Sequence, residues 1–162
     1  MKRTLLSARN SLLAAATAGA IALSPLAMSH FDDKEIPQSY RQSYFALVGT
    51  NFGPMASMVK GEMPWDQARM EGFANDLATL MELDVLRGFV DGSDKGKTRA
   101  KPEIWQNKAD FEQKLADLKE SVTALQQATA GGDKKQIAAG VGETGKACKA
   151  CHDEYKSKNY LY

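Results

Sequence analysis

Two thiols three residues apart, with an imidazole directly after the second, carry the most chemistry in this chain: Cys148-Lys149-Ala150-Cys151-His152. C-x-x-C-H is the attachment signature of a c-type haem. Each thiol can add across one haem vinyl group to give a thioether, and the adjacent imidazole can bind the iron. Two other chemistries use the same letters. A redox-active C-x-x-C follows a strand in a βαβ setting, and no stretch here shows sustained period-two alternation. A zinc site needs about four ligands, and the only further histidine is His30. Haem attachment is therefore the expected chemistry.

A haem needs a holder, and the chain upstream reads as helices. Residues 34–60 carry Arg41, Phe45, Val48, Phe52, Met55 and Val59 at alternating steps of 4 and 3, one helical stripe. Gly53-Pro54 marks a bend or break within it, and Gly61 suits its end. Pro64 and Asp66 open a second helix, with Met70, Phe73, Leu77, Leu80 and Met81 as its buried stripe, running to about Arg87. From Gly88 to Pro102 there is no periodicity, and the segment is expected to be a loop.

A third helix starts at Glu103 or Lys108 and runs to Ala130 on Phe111, Leu115, Leu118, Val122 and Leu125. Gly131-Gly132 ends it, and Asp133 is placed to cap the fourth. That helix presents Ile137, Val141, Thr144, Cys148, Cys151 and Tyr155 on one line, so both cysteines fall on its buried stripe. The expected fold is all-α: an antiparallel four-helix bundle with one haem c near its end.

Length and charge narrow the rest. A chain of 162 residues is expected to form one domain. With 21 basic and 20 acidic residues it offers no electrostatic case for nucleic acid. Lys2, Arg3 and Arg9, the apolar run Leu12 to Leu23, Pro25 and Ala27-Met28-Ser29 read as a signal peptide over 1–29, cleaved near Ser29. The run is too short for a stable membrane anchor. The haem domain is then 30–162, with the periplasm as its expected location.

Several stretches together resemble the cytochromes c prime, exported bacterial haem proteins. They are Tyr40-Arg41-Gln42-Ser43, Val59-Lys60-Gly61, Ala100-Lys101-Pro102-Glu103-Ile104-Trp105, and Gly145 through Tyr155 around the attachment pentapeptide. The resemblance implies thioethers at Cys148 and Cys151 and His152 as the axial ligand of the haem iron. It implies Arg41 and Gln42 at the propionate edge, where a guanidinium can pair with a carboxylate, and Thr98 and Arg99 where the long loop meets that edge. Phe45 falls at the distal position, over the iron. Phenylalanine has no lone pair, so a five-coordinate haem is implied. Met55 and Met58 lie too far along the helix from Phe45 to reach the same iron, and with Met70 and Met81 they are expected in the core. Lys156 stands where many relatives carry arginine.

The function this implies is binding of nitric oxide or carbon monoxide, together with electron exchange with a periplasmic redox partner. The alternative is a simple six-coordinate electron carrier without a gas-binding role. Enzymatic turnover is not expected, because this reading places no acid–base group beside Phe45. Relatives commonly pair as homodimers through the first two helices, and Tyr44, Met58, Met63 and Trp65 are candidates for that patch.

Overall fold

The apolar stripes become four long helices in the computed structural model, which describes residues 36–161. The expected signal segment, its cleavage point and His30 lie outside the described residues. Helix α1 spans Ile36–Lys60, α2 Gln67–Met81, α3 Glu103–Gln106, α4 Lys108–Gly131 and α5 Lys134–Tyr155. The four long members pack in a ring, α1 on α2, α2 on α4, α4 on α5, and α5 back on α1. The result is the expected four-helix bundle.

Helix α1 runs unbroken through Gly53-Pro54, where a bend or a break is expected. The clash that normally drives the residue before proline out of the α region involves its Cβ, and Gly53 has none. Beyond the proline, Met55 and Met58 are buried in the core at 0% and 4% exposure, which holds the last turns in place. Caps behave as the residue types suggest. Asp66 accepts from the Arg69 amide at 3.0 Å and Asp133 from the Gln136 amide at 2.9 Å. Gly61 and Gly132 take positive φ at the ends of α1 and α4.

One helix boundary departs from the periodicity. Helix α2 stops at Met81 instead of Arg87, and Val85–Gly88 forms a separate 3₁₀ turn capped by Asp84 through the Leu86 amide. The tighter turn presses Gly88 against α1, where a Cβ on it would sit 2.7 Å from the Arg41 Cβ. No side chain fits there. Asn107 (φ −120°) separates α3, a single turn, from α4, so that both starts expected for the third helix, Glu103 and Lys108, begin a helix.

The expected loop contains strand β1, Thr98–Ala100, which pairs antiparallel with β2, Lys156–Leu161, matching Thr98 to Leu161 and Ala100 to Lys156. β1 is only three residues long and β2 has no buried residue, so neither leaves an alternation to detect. Met70 and Met81 are core residues, as expected. So are Tyr44 and Met58, at 5% and 4% exposure, which removes them from any subunit-pairing patch.

Two buried phenols make the bundle sensitive to alkali. Burial, helped by Tyr40, pushes Tyr44 up to about 12. Burial and the Asp110 carboxylate, to which its hydroxyl donates at 2.5 Å, push Tyr155 to about 12 as well. Between the ordinary tyrosine value of about 10 and these raised values, the unfolded chain releases protons that the folded chain retains. Stability is therefore complete below about pH 10 and falls as pH rises toward about 12. Urea titrations at about pH 9 and about pH 11.5 should show the loss, and a Tyr44→Phe/Tyr155→Phe variant should show a shallower one.

Candidate haem site

Where α1 and α5 face each other the bundle holds a cavity of about 610 Å³. That is within the ~300–1,000 Å³ usual for cofactor pockets. All eight residues singled out from the sequence line it: Arg41, Gln42, Phe45, Thr98, Arg99, Cys148, Cys151 and His152. Helix α1 supplies the first three, β1 the next two and α5 the attachment group. Helix α4 adds Phe111, Leu115 and Leu118 as apolar wall.

The attachment group sits where helical geometry must put it. Cys148 and Cys151 continue the line of Ile137, Val141 and Thr144, which are buried under α4, and they become half-buried where that line passes the cavity. Both thiols are free. Burial pushes both up, Cys151 to about 11, although Lys114 opposes the rise. They are neutral thiols at pH 7, poor at the thiolate chemistry of disulfide exchange. Burial, followed by Lys156 and Arg99, lowers His152 below its ordinary value, so its imidazole is neutral and keeps a lone pair for a metal. Among the described residues no group of three or more His, Cys, Asp or Glu side chains could hold a bare ion. Two thiols, one neutral imidazole, an apolar hollow and cations at its edge fit a covalently held haem.

Arg41 is the best-anchored polar side chain in the site. It is 3% exposed, and its guanidinium donates to Gly88 O at 2.7 Å, Ser93 Oγ at 3.0 Å, Ser93 O at 2.8 Å and Thr98 Oγ1 at 2.8 Å. The rings of Phe89 and Trp105 lie against it, 5.3 and 5.8 Å from the guanidinium carbon. One arginine thus ties residues 88–98 to α1 and makes that segment a wall of the cavity. Gln38 reinforces the tie through its carboxamide, which donates to the Lys95 carbonyl. Gln42 stands beside Arg41 on the cavity lining. Thr98 is buried and also accepts from the Ala100 amide at 3.1 Å. Arg99 is spent partly elsewhere: Nε donates to Ser157 O at 2.9 Å and Nη2 to Lys158 O at 2.7 Å, lashing β2 to β1.

Phe45 projects from the α1 wall and is held by other rings. Tyr44 packs edge-on at 5.1 Å and Phe89 at 6.3 Å, while Phe89 continues through Phe111 at 4.8 Å to Tyr155. Sequence reading missed Phe89, because the segment around it has no periodicity, and Tyr160, which reaches the cavity only because β2 pairs with β1. No local signal marks either one.

Comparison with known proteins gives the same picture from a separate direction. Residues 37–156 match the sequence profile of the family described as cytochrome C'. A cytochrome c' of Cereibacter sphaeroides is 40% identical over 161 residues, covering 98% of this chain and 99% of that protein. The solved cytochrome c' of Shewanella frigidimarina superposes with a TM-score of 0.72 at 41% identity, covering 75% of this chain and 94% of that one. A nitric oxide complex of a cytochrome c' variant from Alcaligenes xylosoxidans superposes at 0.68 with 37% identity, over 75% and 94% of the two chains. With the bundle, the cavity and the pentapeptide in place, the chain belongs to the cytochrome c' family, and its cofactor is one haem c held through Cys148 and Cys151.

Proposed function

We propose that this chain is an exported, periplasmic, non-enzymatic haem protein that binds nitric oxide or carbon monoxide at a five-coordinate iron and exchanges single electrons. The haem supplies an iron that changes between ferrous and ferric states and accepts small ligands. Cys148 and Cys151 would hold it, and the neutral His152 imidazole would give its iron a nitrogen ligand. The observation that carries the reading is the opposite wall. Phe45 stands there with no lone pair to give, and no described methionine lines the cavity. His152 is the only described histidine. Lys114, on the α4 wall, pairs with Asp110 at 3.6 Å.

The walls near Phe45, made by Val48, Phe52, Leu115 and Leu118, are apolar and favour ligands that need only the iron. That one of the matched structures is a nitric oxide complex supports the reading. Export is supported by the basic and apolar N-terminal residues, and no described helix is long and apolar enough to cross a membrane.

The test is spectroscopic. The reduced holoprotein at neutral pH should give high-spin, five-coordinate optical and resonance Raman spectra. Nitric oxide and carbon monoxide, added separately, should each shift the Soret band. A six-coordinate, low-spin ferrous spectrum with no response to either gas would overturn the reading in favour of a simple electron carrier.

A further inference from the structure

Pairing of β1 with β2 concentrates charge that the chain as a whole balances. Residues 97–101 and 156–161 contain Lys97, Arg99, Lys101, Lys156 and Lys158 and no acidic residue, whereas the whole chain carries 21 basic against 20 acidic. Lys97, Lys156 and Lys158 are exposed, and among the described residues none of the five cations is in an ion pair. Arg99 is bonded to backbone carbonyls of Ser157 and Lys158, and Lys101 to those of Asp153 and Glu154, so their charges are oriented without being neutralised by a carboxylate. The neighbouring acids offset them only in part. Asp153 is taken by Lys149, and Asp94, Glu103 and Glu154 stand just outside the two segments, three acids against five cations.

Two further observations place this charge at the cofactor's door. Thr98, Arg99, Ala100, Lys156 and Tyr160 form part of the cavity lining, so the ribbon is one side chain thick between cavity and solvent. Tyr160 is 48% exposed and lies under Lys97 and Arg99, at 5.4 and 6.0 Å from its ring centre. An exposed aromatic with an arginine beside it and lysines around it has the composition of an interface centre with a charged rim.

We infer that the β1–β2 ribbon is a docking surface for a redox protein with an acidic patch, which exchanges electrons across the cavity rim. Lysine at a rim steers encounter more than it adds affinity, and fields of this kind change association rates by about 10- to 1,000-fold. The inference rests on the electron-exchange part of the proposed function, and the experiment separates the two.

Ferrous holoprotein is mixed in stopped flow with ferricyanide, an anion, or with tris(phenanthroline)cobalt(III), a cation, across a range of salt. Rising salt should slow the first reaction and speed the second, as at a locally positive surface. Lys97→Glu/Lys158→Glu should lower the low-salt ferricyanide rate by about tenfold and reverse its salt dependence, with the visible spectrum unchanged and the rates compared after correction for each protein's measured midpoint potential. Lys97→Arg/Lys158→Arg should behave as the parent. As a readout independent of electron transfer, a deca-glutamate peptide should shift amide resonances of residues 97–101 and 156–161 in the parent and not in the glutamate variant.

Salt dependence that the variant leaves untouched, or peptide shifts on another face, would overturn the ribbon. So would tighter capture by anionic lipid vesicles than by the peptide, which would make it a membrane contact. Failure to react with either oxidant would instead refute electron exchange itself.

Discussion

Phe45→Met is expected to convert the reduced holoprotein from high-spin to low-spin and to suppress binding of carbon monoxide. Methionine is unbranched and adaptable, and it brings a thioether lone pair to the α1 wall where the parent has only a ring. Phe45→Ala should act in the opposite direction. The ring is held by edge contacts to Tyr44 and Phe89 at 5.1 and 6.3 Å, and each such pair contributes ~0.5–1.5 kcal/mol. Removing the need to break both takes ~1–3 kcal/mol off the barrier to entry, roughly 5- to 140-fold in association rate. Flash photolysis of the carbon monoxide complex would measure it. An unchanged rate in the alanine variant would show that Phe45 does not gate the site.

Arg41→Met is expected to be the most destabilising single substitution in the cavity wall. It strips four hydrogen bonds from a 3% exposed position and leaves Gly88 O, Ser93 O, Ser93 Oγ and Thr98 Oγ1 without that donor in a dry environment. Uncompensated buried polar groups cost ~1–3 kcal/mol each when nothing relaxes. Partial relaxation and water entry make a total of ~3–5 kcal/mol the reasonable expectation. Guanidinium chloride titration of the holoprotein should show it. Amides of residues 88–100 should lose hydrogen-exchange protection first, since Arg41 is their tie to α1. Arg41→Lys would keep the charge but not the planar fork that reaches four acceptors, so it should recover only a minor part.

These two residues also show how unevenly the site is written into the sequence. Cys148, Cys151 and His152 are legible because helix and motif agree: attachment spacing and helical spacing are the same three-residue step. Leu118, Val122 and Leu125 on α4, and Ile137 and Val141 on α5, are buried as their periods require. Of the bend or break expected at Gly53-Pro54, the break does not occur, because local propensity there is weaker than the burial of Met55 and Met58 beyond it. The extension of α2 to Arg87 failed for a related reason: Gly88 must touch α1, and only a tighter turn brings it there. From the sequence Arg41 could be a surface arginine with its stem packed down. Its burial depends on acceptors 47 to 57 residues away, which no local pattern reveals.

By itself the sequence determined the cofactor, its attachment points and the helices that carry them, because each of those depends on residues within one or two helical turns. Only the tertiary structure decided what surrounds the Cys148–His152 pentapeptide. It brought Phe45 and Phe89 into one aromatic wall, spent Arg41 on the 88–98 segment, and joined Lys97 and Arg99 to Lys156 and Lys158 in one basic ribbon. Near-equal totals of positive and negative charge hid that ribbon. Its two halves are separated by α3, α4 and α5 in the chain and meet only when the bundle closes. Charge acts over distance in space, and composition records none.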